Sequence, residues 1–489
     1  MSELVARALP VPRPSLLGGG RWGAVGLSLG LLGVGLVDVS NSASVSLALA
    51  LGGGLALTGF LLLTVRHYET AIAIGLLLMG IVRFEPAPPD IAFAVIIAVA
   101  AVTGRFRLNR VPVLPRWIVG LLLMVNLLSL MDVLVLSAAL RFLFITAYLA
   151  IFSLWMTTFV DSPSRARLVV VTWLVIAVIS AVVSILALNL PLPGRSVILG
   201  NVDYGERASG FFKDPNVFGP FLVPIAVILL EQRIAPRATS LLRLRSLTGW
   251  ALLLALSLGV VFSYSRAAWM NYAIAVFVML AVSSLRRARA LRALRTVAAL
   301  LIMGGIVAIV LSAAGSINFL EHRAKLQSYD AQRFAAQHVG WELGWTHPVG
   351  IGPGQFHYHY PVDSHSTFVR VFSEQGPAGL LLWVAILLVT LTLALRNVVR
   401  GQDTHGIGSA ALLGAWCGLI FNSVVVDTLH WRHLWFVAAL IWASSLRRRA
   451  AGSPPPANMP RARAGPARDA APALLGRSSV ARRSSATFP

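Results

Sequence analysis

The sequence predicts an all-α, polytopic membrane protein of about twelve to fourteen transmembrane helices, with a large outer loop that carries short helices. Three observations predict it. The 489-residue chain is 57% hydrophobic and 12% charged, with a mean hydropathy of +0.77. Soluble domains carry about 25% charged residues, so this chain cannot make a water-facing surface. Apolar runs of membrane-crossing length recur along it. Its cations, 41 Lys and Arg against 19 Asp and Glu for a net charge of +22, gather in alternate loops. Cys417 is the one cysteine, which excludes an intrachain disulfide or a thiolate metal site and reads as a small packing residue.

Crossing about 30 Å of hydrocarbon takes about 20 apolar residues. Fourteen segments qualify: 22–39, 44–65, 69–83, 90–104, 117–131, 133–159, 167–190, 214–231, 247–263, 267–285, 296–314, 375–395, 407–427 and 432–446. The third and fourth are short, flank the turn Glu85-Pro-Ala-Pro-Pro-Asp90, and are open to reading as tilted or re-entrant. Residues 1–21, with three arginines and three prolines, are expected to be a cytoplasmic tail rather than a cleavable signal. Residues 22–190 form an N-terminal helical region. Residues 191–446 form a second region containing the 59-residue outer loop 315–373, in which Glu321–Leu343 is expected to make one or two surface helices. Residues 447–489, rich in Pro, Ala, Arg and Ser, cannot bury enough to fold and are expected to be a disordered basic cytoplasmic tail.

Cytoplasmic loops carry the Lys/Arg excess. With both termini inside, the inner segments hold 30 basic and 6 acidic residues and the outer ones 10 and 13, with Arg141 inside a span. The charge is therefore mostly topological. Nucleic-acid binding gains no support, since the basic stretches are short inner loops and a tail.

A few polar groups do not follow from topology. Arg207-Ala-Ser-Gly-Phe-Phe-Lys-Asp-Pro-Asn216 leads into a span from its outer side. Arg207 and Lys213 suit an anionic head group there, or a snorkelling contact with lipid phosphates, and Asn216 suits a helix cap. Ser263-Tyr-Ser-Arg266 is a short outer turn that holds Arg266 tightly, with two hydroxyls beside it. The long loop ends in His347-Pro-Val-Gly-Ile-Gly-Pro-Gly354, His357, His359, Asp363-Ser-His-Ser366 and Glu374-Gln-Gly-Pro-Ala-Gly379. These histidines match no closed metal signature, so no metal is expected, and a histidine near pKa 6.5 serves better as a general base. The glycine run lacks the Lys-Ser/Thr of a P-loop and reads as a turn approached closely by ligand or backbone. Arg141, at membrane depth, is expected to line a polar cavity. Asp38, Asp132 and Asp427 read as solvated boundary residues.

Together these pieces resemble the O-antigen ligase and polymerase superfamily of bacterial membrane glycosyltransferases. Arg207–Asn216 resembles its Arg-x-x-Gly…Asn approach to a span, Ser265-Arg266-Ala267 its Ser-Arg-Gly/Ala turn, and His347–Gly352 with His365-Ser-Thr-Phe…Glu374-x-Gly376-x-x-Gly379 the two ends of its outer loop. The resemblance covers roughly residues 200–440; Ser366 replaces the Asn common after the loop histidine. It implies a glycan donor carried on a polyprenyl diphosphate, a lipid or glycan acceptor, and an active site facing outward from the bacterial cytoplasmic membrane, with no cofactor. Arg207 and Arg266, aided by Lys213, would bind the diphosphate. His365 would deprotonate the acceptor hydroxyl for one inverting displacement. Glu374 and Asp363 would orient the histidine or meet sugar hydroxyls, with Asn216 and Arg141 in support. A polymerase of the same superfamily, and in another class a transporter or flippase of lipid-linked glycans, are the alternatives. A transporter would spread charges through the membrane depth, where only Arg141 lies.

Overall fold

The computed structural model describes residues 47–83, 86–202, 205–234, 241–285, 287–313, 315–325 and 327–451. The tail 1–21, the expected span 22–39, Asp38 and the tail from 452 onward lie outside the described residues.

Each remaining expected span is one helix: α1 Leu47–Arg66, α2 Tyr68–Leu78, α3 Pro88–Val102, α4 Val113–Leu128, α5 Leu136–Phe159, α6 Pro163–Asn189, α7 Pro215–Ile234, α8 Ser246–Phe262, α9 Arg266–Ser284, α10 Arg287–Ala313, then α13 Thr367–Val399, α14 Ser409–Val425 and α15 Arg432–Ala451. Between α10 and α13 the long loop folds into α11 Ile317–Ala324 and α12 Ser328–Thr346, as the texture of 321–343 predicts. Seven of these helices, α4, α5, α6, α7, α9, α10 and α13, are long and apolar enough to cross a membrane. The protein is a polytopic helical membrane protein. At 1.5 Å per residue, α2 and α3 reach only about 17 and 23 Å, so neither covers the hydrocarbon by itself.

Local chemistry sets several boundaries. Ser162 and Pro163 open α6, the serine hydroxyl accepting from Arg165 N at 3.5 Å. Ser265 caps α9, its hydroxyl accepting from Ala268 N. Buried almost throughout, α7 packs against α6, α8, α9 and α14. Its internal Pro220 and Pro224 are tolerated because neighbouring helices shield the freed carbonyls from lipid. Trp173 packs at a tilt against Phe221 and Phe436 at 5.9 and 4.9 Å, joining α6, α7 and α15 in one aromatic core.

Three boundaries depart most from expectation: α10 starts at Arg287, nine residues before the expected span, α2 ends at Leu78 with Ile81–Val82 in a strand, and the third lies at the start of α13. α13 starts at Thr367, eight residues before the expected span, and breaks at Gly376, whose backbone (φ 67°, ψ −173°) precedes Pro377. Hydropathy misses the stretch before the break because it is polar: Arg370 and Glu374 sit on it. The glycine run explains the break. Ile351 N and Gly352 N donate to the carbonyls of Ser373 and Glu374 at 2.9 and 3.0 Å. A Cβ at Gly350 would lie 2.4 Å from the Glu374 carbonyl, and one at Gly376 would lie 2.3 Å from the Pro348 oxygen. The close approach is thus backbone to backbone.

Two small sheets lie at one end of the bundle, and one of them ties distant segments. β2 Leu199–Val202 and β3 Gly205–Ala208 form a hairpin. β1 Ile81–Val82, which follows α2, pairs in parallel with β4 Phe211–Phe212, and Lys213 N donates to Val82 O at 3.1 Å.

Candidate functional site

The polar motifs converge at that end. β3 delivers Arg207, 3% exposed, whose Nε donates to Ser263 O at 2.8 Å and whose Nη2 donates to Asn216 Oδ1 at 3.1 Å. One guanidinium thus joins the 263–266 turn to the start of α7. Asn216 is not a cap. Asp214 Oδ1 accepts from Asn216 N at 2.8 Å and closes the turn that opens the helix, leaving the amide side chain to hold Arg207. The two serines are likewise spent on the turn: Ser265 caps α9, and Ser263 accepts from Ser265 N and donates to Val260 O. Tyr264 between them sits in the left-handed region at φ 48°.

Arg266 meets the long loop. Its Nη2 donates to both Asp330 oxygens at 2.8 Å, and its Nη1 donates to Lys325 O at 3.1 Å. Asp330 also accepts from Gln327 N, capping α12. Its carboxyl is held below the usual carboxylate range by Arg266 and the Gln327 N–H, against its partial burial. Trp341 and Trp345 of α12 pack on Phe372 of α13 at 4.8 and 5.1 Å. Gln355 pins the loop to α5, accepting from Leu134 N and Val135 N and donating to Val135 O.

His365 ends the loop at φ 47°. The left-handed region costs a non-glycine residue roughly 1–2 kcal/mol, and such strain persists only where surrounding contacts impose it. Here Thr367 supplies them: its hydroxyl donates to Val426 O and accepts from Thr428 N at 2.7 Å. Ser366 stands at the N-cap of α13 without a capping bond.

Two cavities meet at His365. The first, of about 850 Å³, is lined by the cations Arg83, Arg207, Lys213, Arg266 and Arg333 against two carboxylates, Asp214 and Asp330. The second, of about 480 Å³, holds four carboxylates, Asp214, Asp363, Glu374 and Asp427, with Lys213, Arg370 and Arg432, and the aromatic rings of Phe142, Phe212, Phe356 and Trp431. Lys213, Asp214, His365 and Val426 line both. In the second cavity Arg370 Nε donates to Glu374 Oε2 at 3.1 Å, its Nη1 pairs with Asp427, and its guanidinium lies 4.7 Å from the Phe142 ring centre. Arg432 grips Asp90 through two bonds of 2.7 and 2.5 Å.

The family model described as O-antigen ligase matches residues 251–384. The chain carries an O-antigen ligase domain. A comparison with curated proteins finds no match. The O-antigen ligase domain runs from α8 into α13 and takes in Arg266, the long loop, His365, Arg370 and Glu374. It leaves out Arg207, Lys213 and Asn216, which join the same cavity by geometry alone. The protein is thus a polytopic membrane protein in which residues 251–384 are similar to O-antigen ligases.

Of the site residues expected from sequence, Arg207, Lys213, Asn216, Arg266 and His365 line the first cavity, and Lys213, His365, Asp363 and Glu374 line the second. Arg141 lines neither. It sits on the second turn of α5, and its charge helps keep the His430 ring neutral. Asp427, read from sequence as a solvated boundary residue, is a partner of Arg370 in the second cavity. Sequence reasoning also missed Arg83, Arg333 and Arg370. Arg370 carried a signal, since a cation four residues before Glu374 fits an i, i+4 pair on a helix.

Among the histidines near the cavities, His365 is the suited base. Burial pushes its pKa below the ordinary value, the Arg333 charge lowers it further, and Asp363, Asp214 and Asp427 partly offset this. It is therefore neutral near pH 7 and able to accept a proton. His430 is pushed down to about 3 by burial and Arg370, and its Nε2 is engaged by the Thr146 hydroxyl at 3.0 Å. The acid limb of kcat/KM should then fall below about pH 6.5. Arg333→Gln removes a neighbouring cation, which raises the His365 pKa and moves that limb to higher pH; Asp363→Asn moves it to lower pH. A pH–rate profile unmoved by both variants would show that His365 does not set the limb.

Proposed function

We propose that the protein transfers a glycan from a polyprenyl-diphosphate donor to an acceptor hydroxyl, as an O-antigen ligase-type enzyme at the outer face of the bacterial cytoplasmic membrane, with both termini inside. The observation that carries this reading is the placement of His365, where a cation-rich cavity joins a carboxylate- and aromatic-rich one. The first suits a diphosphate, since arginines bind phosphate oxygens through paired N–H donors. The second suits sugar, which offers hydroxyls to carboxylates and C–H faces to aromatic rings. The transferred bond would lie at their junction.

The acceptor hydroxyl gives its proton to the imidazole of His365 as its oxygen bonds to the anomeric carbon. The bond from that carbon to the diphosphate oxygen breaks on the opposite face, so the configuration inverts. Charge developing on the leaving diphosphate is met by Arg207 and Arg266, with Lys213 beside them. Both arginines are already fixed by hydrogen bonds, so little reorganisation accompanies the step. In this reading fixed cations do the charge neutralisation, and turnover is independent of added divalent metal.

The test is transfer by purified protein in bilayers containing a polyprenyl-diphosphate glycan and a lipid acceptor, with and without chelator. Glycan on the acceptor, formed equally with chelator, supports the reading. Elongated glycan still on polyprenol would identify a polymerase. Movement of intact donor between leaflets without a new glycosidic bond would replace the enzyme with a transporter. Loss of activity in chelator, restored by a divalent cation, would end the metal-independent mechanism.

A further inference from the structure

A third cavity, of about 700 Å³, lies at the far end of α7 from Asn216, between that helix end and the starts of α8 and α10. Four arginines line it: Arg233 from α7, Arg243 from the following loop, and Arg292 and Arg295 from α10. Neither inner segment that supplies them, 232–246 or 286–299, contains an acidic residue. Arginines that serve only to orient helices extend into water, each from its own loop. These converge on one space.

Arg233 is held there. Its guanidinium lies over Gly249, where a Cβ would come within 3.0 Å of Cζ and Nη1. Its Nε is buried and without a hydrogen-bond partner, a state that costs free energy, most of all for a charged group. Arg292 donates to Ile234 O at only 3.4 Å, which leaves most of its donors for another acceptor. Trp250 stands beside the cluster, as aromatic rings do at membrane interfaces. Apolar side chains that face out of the protein, Leu247 at 83%, Leu291 at 60% and Leu294 at 65% exposed, border the same region.

We infer that this cavity binds the phosphate head group of an anionic phospholipid from the leaflet opposite the candidate site. The arginine forks take the phosphate oxygens, the buried Arg233 N–H gains its acceptor, and the acyl chains lie along the exposed leucines of α8 and α10. Cation clusters between transmembrane helices on the cytoplasmic side suit such head groups, and the charge rule places this end of the bundle there. The site is separate from glycan transfer and does not depend on that reading.

The experiment is native mass spectrometry of the delipidated full-length protein titrated with phosphatidylglycerol or phosphatidylcholine in detergent. Preferential retention of phosphatidylglycerol is expected. Arg233→Gln should weaken it about tenfold, the size of one charge-assisted hydrogen bond, while Arg107→Gln in another inner loop should not. Photo-crosslinking with phosphatidylglycerol on the unmodified protein should label peptides from the starts of α8 or α10, and needs no variant to fold. Equal retention of both lipids, equal retention by the Arg233 variant, or labelling only elsewhere would overturn the proposal. So would full displacement by inorganic phosphate at the lipid's own concentration, which would make this a free-phosphate site.

Discussion

His365→Asn should lower turnover by about 10²–10⁴-fold, the range for losing a positioned general base, and leave binding of the lipid-linked donor within a few-fold of wild type. Asn is the informative substitution because His365 sits at φ 47°, and Asn is among the few residues that accept the left-handed region without glycine's freedom. The backbone of the loop is kept and only the base is removed. The cation-rich cavity is left as it was, because Arg207, Arg266 and Lys213 are held by other contacts. Transfer and donor binding measured on the same preparation check this. Turnover within threefold of wild type would sink the base assignment, and an equal collapse of donor binding would assign His365 to binding instead.

The second large effect is on stability. Arg370→Ala leaves Glu374 and Asp427 facing one another without their shared cation. Their side chains are 3% and 27% exposed, so water screens the repulsion poorly. Removing one partner of a buried ion pair costs about 3–5 kcal/mol, to be read as a large drop in the thermal midpoint of the detergent-purified protein. Arg370→Lys should recover only part of it, since one ammonium cannot serve two carboxylates as the planar fork does. Adding Glu374→Gln to Arg370→Ala should recover some stability by removing one uncompensated charge. An Arg370→Ala midpoint equal to wild type would mean that the triad is solvated in the working protein.

Much of the site was visible before folding because its cations stand where the topology does not call for them. Arg207, Lys213 and Arg266 are on segments assigned to the less basic face, next to Gly, Pro and Ser that mark tight turns. The partners were invisible for a different reason. Arg266 meets Asp330 across 64 residues and Arg370 meets Asp427 across 57, and no periodicity links positions on different elements. Asp427 shows the cost: at the end of an apolar run it looks like any solvated boundary residue, and only the fold sets it against α13. Ser263, Ser265 and Asn216 show the converse. The two hydroxyls stood beside Arg266 and the amide suited a helix cap, yet the backbone turns use the serines and Arg207 takes the Asn216 oxygen.

The sequence by itself determined a polytopic helical bundle, the place of nearly every described span, and the family resemblance. Hydropathy and the cation bias act locally along a chain, and the motif residues are adjacent in it. Tertiary structure alone decided that α13 begins eight residues early and breaks at Gly376, that β1 after α2 seats Lys213, and that His365 stands where two cavities of opposite character meet. Those outcomes rest on contacts between segments far apart in the chain, set by close backbone approach at Gly350 and Gly376 and by ion pairs too distant in sequence to leave a local pattern.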